Sequence, residues 1–358
     1  MSRVVVLGAG VSGHTAAAFL RKWLGANDEV VVVSPQPHYN WIPSNIWVGV
    51  GLLPPAKVTF PLAPVYRRHG IVFKQARAVA LHPEGEAANP APYVEIESTL
   101  PGHEGEREQV RYDFLINATG PKLNFGATPG LGPAGHSYSV CTETHAEEAS
   151  HALDELVARM RHGERKRFIV GTGHGSCTCQ GAAFEYIVNL EFELRARGVR
   201  DRADIVWLSN EYEMGDFGMG GLHVRRGGYI TPSKIFHESL FAERGIDYIK
   251  RAHVRQVDPG AAQIETLDGE EREVKFDMAM LLPPFSGVGL KAYDAEGGDI
   301  TEKVFAPSGF MKVEADLPFM YTIFPELSVT VIATPSSSAQ LMPFILHFFV
   351  YRKQIYLI

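Results

Sequence analysis

The chain has 358 residues, 45% hydrophobic and 21% charged, with a formal net charge of −7 at pH 7. That length supports one large domain or two ordinary ones, and the apolar content excludes general disorder. The basic residues are scattered rather than gathered into a stripe, which argues against nucleic acid as a partner.

Val4 to Leu7 is a short apolar run ending in Gly8-Ala9-Gly10-Val11-Ser12-Gly13, and Thr15 to Leu20 then reads as a helix. Strand, glycine turn, helix is the arrangement that takes the pyrophosphate of a dinucleotide. Gly8 permits the turn, Gly10 lets the backbone approach the phosphates, and Gly13 lets the helix pack closely. The amides of the first helical turn, at Val11 and Ser12, meet the phosphate charge. The motif starts almost at Met1, so no signal peptide is expected before it. The second strand, Glu29 to Val33, leads to Ser34 where an Asp or Glu usually meets the adenosine ribose. A serine hydroxyl there is a neutral partner.

The next stretch, from His38 to Gly51, is aromatic and punctuated by Pro43, Gly49 and Gly51, too irregular for a long element. Its tryptophans, Trp41 and Trp47, serve either as buried filler or as the lining of a flat ring system. Pro61 to His69 reads as a helix ended by Gly70, before a strand at 71–73. Residues 83–109 are polar with one strand at Tyr93 to Glu97, and read as hairpins inserted into the first nucleotide-binding fold. Tyr112 to Ala118 is a strand running into Thr119-Gly120-Pro121, small residues that let backbone come near a ligand. A linker follows, and Glu147 to Arg161 is an amphipathic helix.

The topology then repeats. Arg167 to Val170 runs into Gly171-Thr172-Gly173-His174-Gly175-Ser176, the helix is Gly181 to Arg197, and the next strand is Asp204 to Leu208. Ser176 stands where the third glycine belongs, so the expected reading is a nucleotide-type fold whose nicotinamide role is lost. A working NAD(P)H site is the alternative. Residues 211–232 read as a glycine-rich loop, Pro232 to Phe241 as a helix, Ile246 to Arg251 as extended, and 262–267 as one arm of a hairpin turning at Asp268-Gly269. Phe276 to Leu282 is a strand that stops at Pro283-Pro284.

The three cysteines, Cys141, Cys177 and Cys179, are too few for a disulfide framework and form no four-ligand metal pattern. All fall at loop-to-helix transitions, where amide dipoles favour thiolate. His145 follows Cys141 by four residues and shares its face if both are helical. His174 is a modest proton-shuttle candidate beside Cys177. Buried, inert thiols are the plain alternative.

Several stretches together resemble the sulfide:quinone oxidoreductase family, within the flavoprotein disulfide-reductase superfamily. They are GAGVSG from Gly8, PSNIWVGVG from Pro43, NATGPKLNF from Asn117, VCTETHAEEA from Val140, CQGAAFEY from Cys179 and MLLPPFSGV from Met280. The resemblance implies an α/β fold of two Rossmann-like three-layer dinucleotide-binding domains with inserted antiparallel strands. It implies residues 1–120 as the first part of an FAD domain, 121–290 as a second Rossmann-like domain with the active cysteines, and 291–358 as a return to the FAD domain plus an atypical apolar tail. It further implies FAD held by Gly8, Gly10, Val11, Ser12, Gly13, Ser34, Pro43, Ser44, Asn45, Ala118, Thr119, Gly120 and Pro283.

The activity implied is oxidation of sulfide to polysulfide or elemental sulfur, with electrons passing through flavin to a membrane quinone. Cys179 matches the central cysteine, with Cys177 one turn position away; Cys141 matches an auxiliary cysteine and His145 a proton-handling histidine. An NAD(P)H:quinone or disulfide oxidoreductase, or a degenerate FAD-binding paralogue, are the other readings. No metal is expected, a second copy of the chain is a candidate partner, and the protein is expected to sit peripherally on a membrane. Two departures stand out. Asp216 occupies a position where the family often has histidine, and after about Pro318 the match fades with no cysteine beyond Cys179, as for a divergent, truncated or frame-altered C-terminus. The apolar run from Leu341 to Tyr351 is shorter than the roughly 20 residues that span hydrocarbon. It reads as a buried helix or subunit contact, or as a helix at the membrane interface.

Overall fold

The computed structural model describes residues 2–177, 180–217, 220–226 and 228–312, with the backbone of a short hairpin at 349–351 and 354–356. Two parallel β-sheets organise it. In the first, β1 (Arg3–Leu7) lies between β2 (Glu29–Ser34) and the strand Phe114–Asn117, parallel to both. On the far side of β2 runs Val72–His82, an eleven-residue strand. Its start pairs in parallel with β2, and its end carries the antiparallel insertion Tyr93–Ser98 and Arg107–Arg111.

The period-two pattern of a strand buried on both faces explains the layers. Val4 and Val6 join Val30 and Val32 in a core under α1 (Val11–Trp23). Val5 and Leu7 join Val31 and Val33 in a core on the opposite face. Short α2 (Asn45–Gly49) and α3 (Leu62–His69) follow; α3 ends at Gly70 in a left-handed conformation.

The second sheet is wholly parallel, in the order Asp247–Ile249, Ala203–Leu208, Lys166–Thr172, Met278–Leu282. On one face, Phe168, Val170, Trp207 and Met280 pack under α4 (Glu143–Arg161) and α5 (Gln180–Ala196). On the other face, Ile169, Leu208 and Leu281 meet an antiparallel three-stranded sheet built from Ala252–Asp258, Ala261–Thr266 and Glu271–Lys275. α2 is tied to this second unit: Tyr186 Oη donates to the Gly49 carbonyl at 3.2 Å. A Cβ on Gly49 would lie 2.8 Å from Val140.

The elements agree with the sequence reading except at a few points. α4 begins at Glu143, four residues before the expected start, because Thr142 caps it by accepting the His145 amide. The stretch expected as a loop at 211–232 contains an antiparallel strand pair, His223–Arg226 with Tyr229–Pro232. Lys291–Ala292 pairs with Ala80 and Leu81 of the first sheet, and α6 (Ser233–Arg244) and α7 (Thr301–Val304) complete the helices of the described residues. At 349–351 and 354–356 the backbone forms an antiparallel strand pair, so the last three residues of the run read as a helix or subunit contact are extended; the rest of that run and of the tail lies outside the described residues.

Leu153, on α4, is fully buried in the core between α4 and the second sheet. Replacing it with alanine is expected to cost about 2–5 kcal/mol through lost burial and a residual cavity, measured by denaturant titration.

Candidate functional site

The first glycine turn is built around backbone contacts that leave no room for side chains. Gly8 has φ of +98°, and a Cβ there would fall 2.1 Å from the Ala118 carbonyl oxygen. A Cβ on Gly13 would fall 2.1 Å from the Gly8 carbonyl oxygen. Gly10 is different: nothing lies within 4 Å of the place its Cβ would take. It is the N-cap of α1, and no side chain caps that helix. The first-turn amides at Val11 and Ser12 therefore face an open, electropositive cradle suited to a pyrophosphate.

The other residues expected to hold the cofactor follow the carboxyl ends of several strands. Ser34 ends β2 and is buried, its hydroxyl 3.3 Å from both the amide and the carbonyl of Gln36. Pro43 and Ser44 form a single 3-10 turn leading into Asn45, which is fully buried and joined to Asn40 by paired side-chain hydrogen bonds of 2.9 Å. Asn45 thus staples the turn to the strand His38–Asn40. Beyond the strand Phe114–Asn117, the Thr119 hydroxyl donates to Asn117 Oδ1 at 2.8 Å, and Gly120 takes φ of +69° with open space beside it. Pro283 is buried at the end of Met278–Leu282.

Cys141 is partly buried and lies outside α4, before the cap Thr142, whose φ of −131° and ψ of 161° are extended. The helical face expected to align Cys141 with His145 is therefore not formed; the cap residue turns the chain between them. His145 lines a cavity of about 600 Å³ with Lys122, Phe125, Pro133 and Glu148. Its Nδ1 is buried without a partner among the described residues, and Phe125 meets its ring edge-on at 5.8 Å. Burial lowers the His145 pKa, against the opposing pull of Glu148 and Glu143. The ring is thus neutral over a wider pH range than an ordinary histidine, with an acceptor nitrogen to spare.

Cys177 is buried in the core between the second sheet and α5, three residues before that helix begins. Cys179 lies outside the described residues. Next to them, the second glycine loop is filled by the protein itself. The Gly175 amide donates to His253 Nδ1 at 3.0 Å, and Asn210 Nδ2 donates to the Gly175 carbonyl. A Cβ on Gly173 would lie 2.4 Å from Leu131 Cδ1. His174 Nδ1 is engaged by the Ser176 amide at 3.0 Å and hydroxyl at 2.8 Å, which leaves it poorly placed as a shuttle. Its pKa is lowered by burial and by the neighbouring His253.

Sequence reasoning missed this closure, because His253 and Leu131 are remote in the chain and carry no motif. It also passed over Glu211, which lies just past the second strand of the repeated unit, where an acidic ribose partner is expected. Reading on past the end of the strand Asp204 to Leu208 would have found it. Here Glu211 is buried and turned inward: its carboxylate accepts from the Phe217 amide at 2.7 Å and the Ser209 hydroxyl at 3.2 Å. No group of three metal-ligating side chains occurs among the described residues.

No protein-family model matches the chain. It is 32% identical over 284 residues to a sulfide-quinone reductase of Aquifex aeolicus (strain VF5), a match covering 79% of this chain and 59% of that protein. The crystal structure of the sulfide:quinone oxidoreductase from Aquifex aeolicus superposes with a TM-score of 0.71 at 30% identity. It covers 86% of this chain and 63% of the other. The NDH2 structure from Plasmodium falciparum in complex with NADH shares the fold at a TM-score of 0.59 and 15% identity, covering 81% of this chain and 56% of that one. The resemblance read from the motifs is borne out, and so is the fold of two dinucleotide-type α/β units. The chain spans about three fifths of the length of the sulfide-quinone reductase it matches.

The cradle separates two substitutions that look alike on paper. Gly10→Ala is expected to fold with wild-type thermal stability while losing dinucleotide affinity, because its methyl enters the open phosphate approach. Gly13→Ala forces α1 off β1 and is expected to lower the melting temperature itself. Thermal melts with and without added cofactor distinguish the two.

Proposed function

We propose that the chain is the flavin- and sulfide-handling part of an oxidoreductase that takes electrons from sulfide and delivers them to a quinone. The observation that carries this reading is the contrast between the two glycine turns. One is an open, uncapped cradle; the other is stopped by its own side chains, next to the cysteine segment. A chain with one open dinucleotide cradle and cysteines next to the blocked one is arranged to receive electrons through sulfur. FAD would be held by the main chain at Gly10, Val11 and Ser12 and by Ser34 at the end of β2, and would supply a two-electron acceptor.

The chain's own residues handle sulfur and protons. Cys179, by its following sequence, is the central thiol that takes a sulfur atom as a persulfide, and Cys177 stands two residues before it. Oxidation of hydrosulfide to the persulfide level releases two electrons and a proton. Neutral His145 in its solvent-open cavity has an acceptor nitrogen for that proton. Cys141 is an auxiliary sulfur site. Further turnovers lengthen the chain to polysulfide, and the two electrons, that proton and a second one from solvent would reduce the quinone to a quinol.

A lipid-soluble acceptor calls for peripheral contact with a membrane; no helix among the described residues is long and apolar enough to cross one. NADH as donor is disfavoured by the His253 and Leu131 contacts in the second loop.

Sulfide added anaerobically to the flavin-loaded protein is expected to bleach the flavin, and a short-chain quinone to restore it. Cys179→Ser is expected to abolish the bleaching, whereas Cys141→Ser slows turnover without preventing the first reduction. Full bleaching in Cys179→Ser would remove the central-cysteine assignment.

A further inference from the structure

Outside the chemistry above, one buried group has unusual surroundings. Two non-glycine residues among the described residues have positive φ, Phe217 at 49° and Arg251 at 57°. Both are hydrogen-bonded to Glu211. The Phe217 amide donates to its carboxylate at 2.7 Å, and the Arg251 amide donates to its main-chain carbonyl at 2.9 Å. A left-handed bulky residue is held only where its neighbours over-determine it, and Glu211 is the shared neighbour.

The loop that Glu211 fixes reaches the cysteine-bearing unit twice. Asn210 bonds to Thr172 and to the Gly175 carbonyl, and the Phe217 ring packs edge-on against Phe184 of α5 at 5.7 Å. On its other side Phe217 lies parallel to His237 of α6 at 5.7 Å. His237 is fully buried, with neither ring nitrogen partnered among the described residues, and burial pushes its pKa down to about 4. It is a neutral wall.

We propose that Glu211 is a positioning residue: a proton-responsive latch that holds the 209–217 loop, and through it sets the exposure of Cys177 at the start of α5. Ionised, the carboxylate accepts from both Phe217 and Ser209. Protonated, it gives up acceptor capacity and needs an acceptor of its own, so Phe217 relaxes and the loop loosens.

The neighbouring charges do not neutralise it. Asp216, on the same loop, repels it. Lys234 of α6, with Lys250 and Arg251 beyond the strand Asp247–Ile249, is paired with Glu213. Burial, ahead of the lowering effect of the Phe217 and Ser209 hydrogen bonds, raises the Glu211 pKa to about 7. The folded protein therefore binds more protons than the unfolded chain between the ordinary carboxylate range and that value. Stability falls as pH rises through that window and is level above it. The latch is tightest in the form that costs the fold most.

This inference goes beyond the sulfide reading and is tested without it. Wild type and Glu211→Gln, which keeps an acceptor oxygen but cannot titrate, are alkylated between about pH 5.5 and 8.5, and the labelled peptides are quantified by mass spectrometry. The titration of the thiols themselves is common to both proteins and cancels in the ratio of rates. The wild-type to Glu211→Gln ratio for the Cys177 peptide is expected to fall severalfold as pH rises through about 7. The ratio for Cys141 stays flat, and the melting-temperature advantage of Glu211→Gln grows through the same window. Flat ratios with a constant melting-temperature gap would overturn the latch. Should Glu211→Gln not fold, Asp216→Asn serves instead: losing its repulsion moves the wild-type step to lower pH, and an unmoved step overturns the proposal equally.

Discussion

The arrangement depends on a backbone contact: the Gly8 turn pressed against Ala118 on one side and Gly13 on the other. Hydrogen bonds from Gly8 to Val33 and from Ala118 to Leu7 fix the ends of three adjacent parallel strands at one level. Because those strand ends coincide, the N-terminus of α1 opens at the sheet's carboxyl edge, where α/β folds place their ligands. Any side chain at Gly8 or Gly13 would push the helix off the strand and close that opening.

The same topology is used again with the opposite result. In the second unit Gly171 sits so close to the Leu208 carbonyl that a Cβ would lie 1.7 Å away, so the strand–turn geometry survives. What has changed is the content of the cradle. His253, delivered by the antiparallel sheet, takes the Gly175 amide, Leu131 from the linker covers Gly173, and Glu211 folds inward. The fold of a nucleotide site remains, while its hydrogen-bonding capacity goes to holding the loop beside Cys177. The open cradle is the one proposed for the cofactor, and the filled one is given over to its own contacts.

Most of the architecture was legible in the sequence, for physical reasons. Val4 to Leu7 and Val30 to Val33 are apolar on both faces, as a sandwiched parallel strand must be, and the glycine spacing marks where backbone meets backbone. Ser176 alone was enough to raise doubt about a second nucleotide. What local pattern could not show was contact made at long range. The cap Thr142, which removes Cys141 from the helix of His145, is readable as a Thr three residues before His145, against the helical periodicity that would align the two. The strand pair His223–Arg226 with Tyr229–Pro232 was hidden because it sits in a run rich in glycine. The closure by His253, the inward Glu211 and the left-handed Phe217 depend on tertiary neighbours, and no spacing rule predicts them.

The central claim is that electrons enter this molecule through sulfur and not through a nicotinamide. The most direct measurement is a parallel anaerobic stopped-flow comparison of the flavin-loaded protein mixed with sulfide and, separately, with NADH. The account predicts rapid loss of oxidised-flavin absorbance with sulfide and none above background with NADH. Reduction by NADH at a comparable rate would show that the second glycine loop opens to a nucleotide after all, and would contradict it.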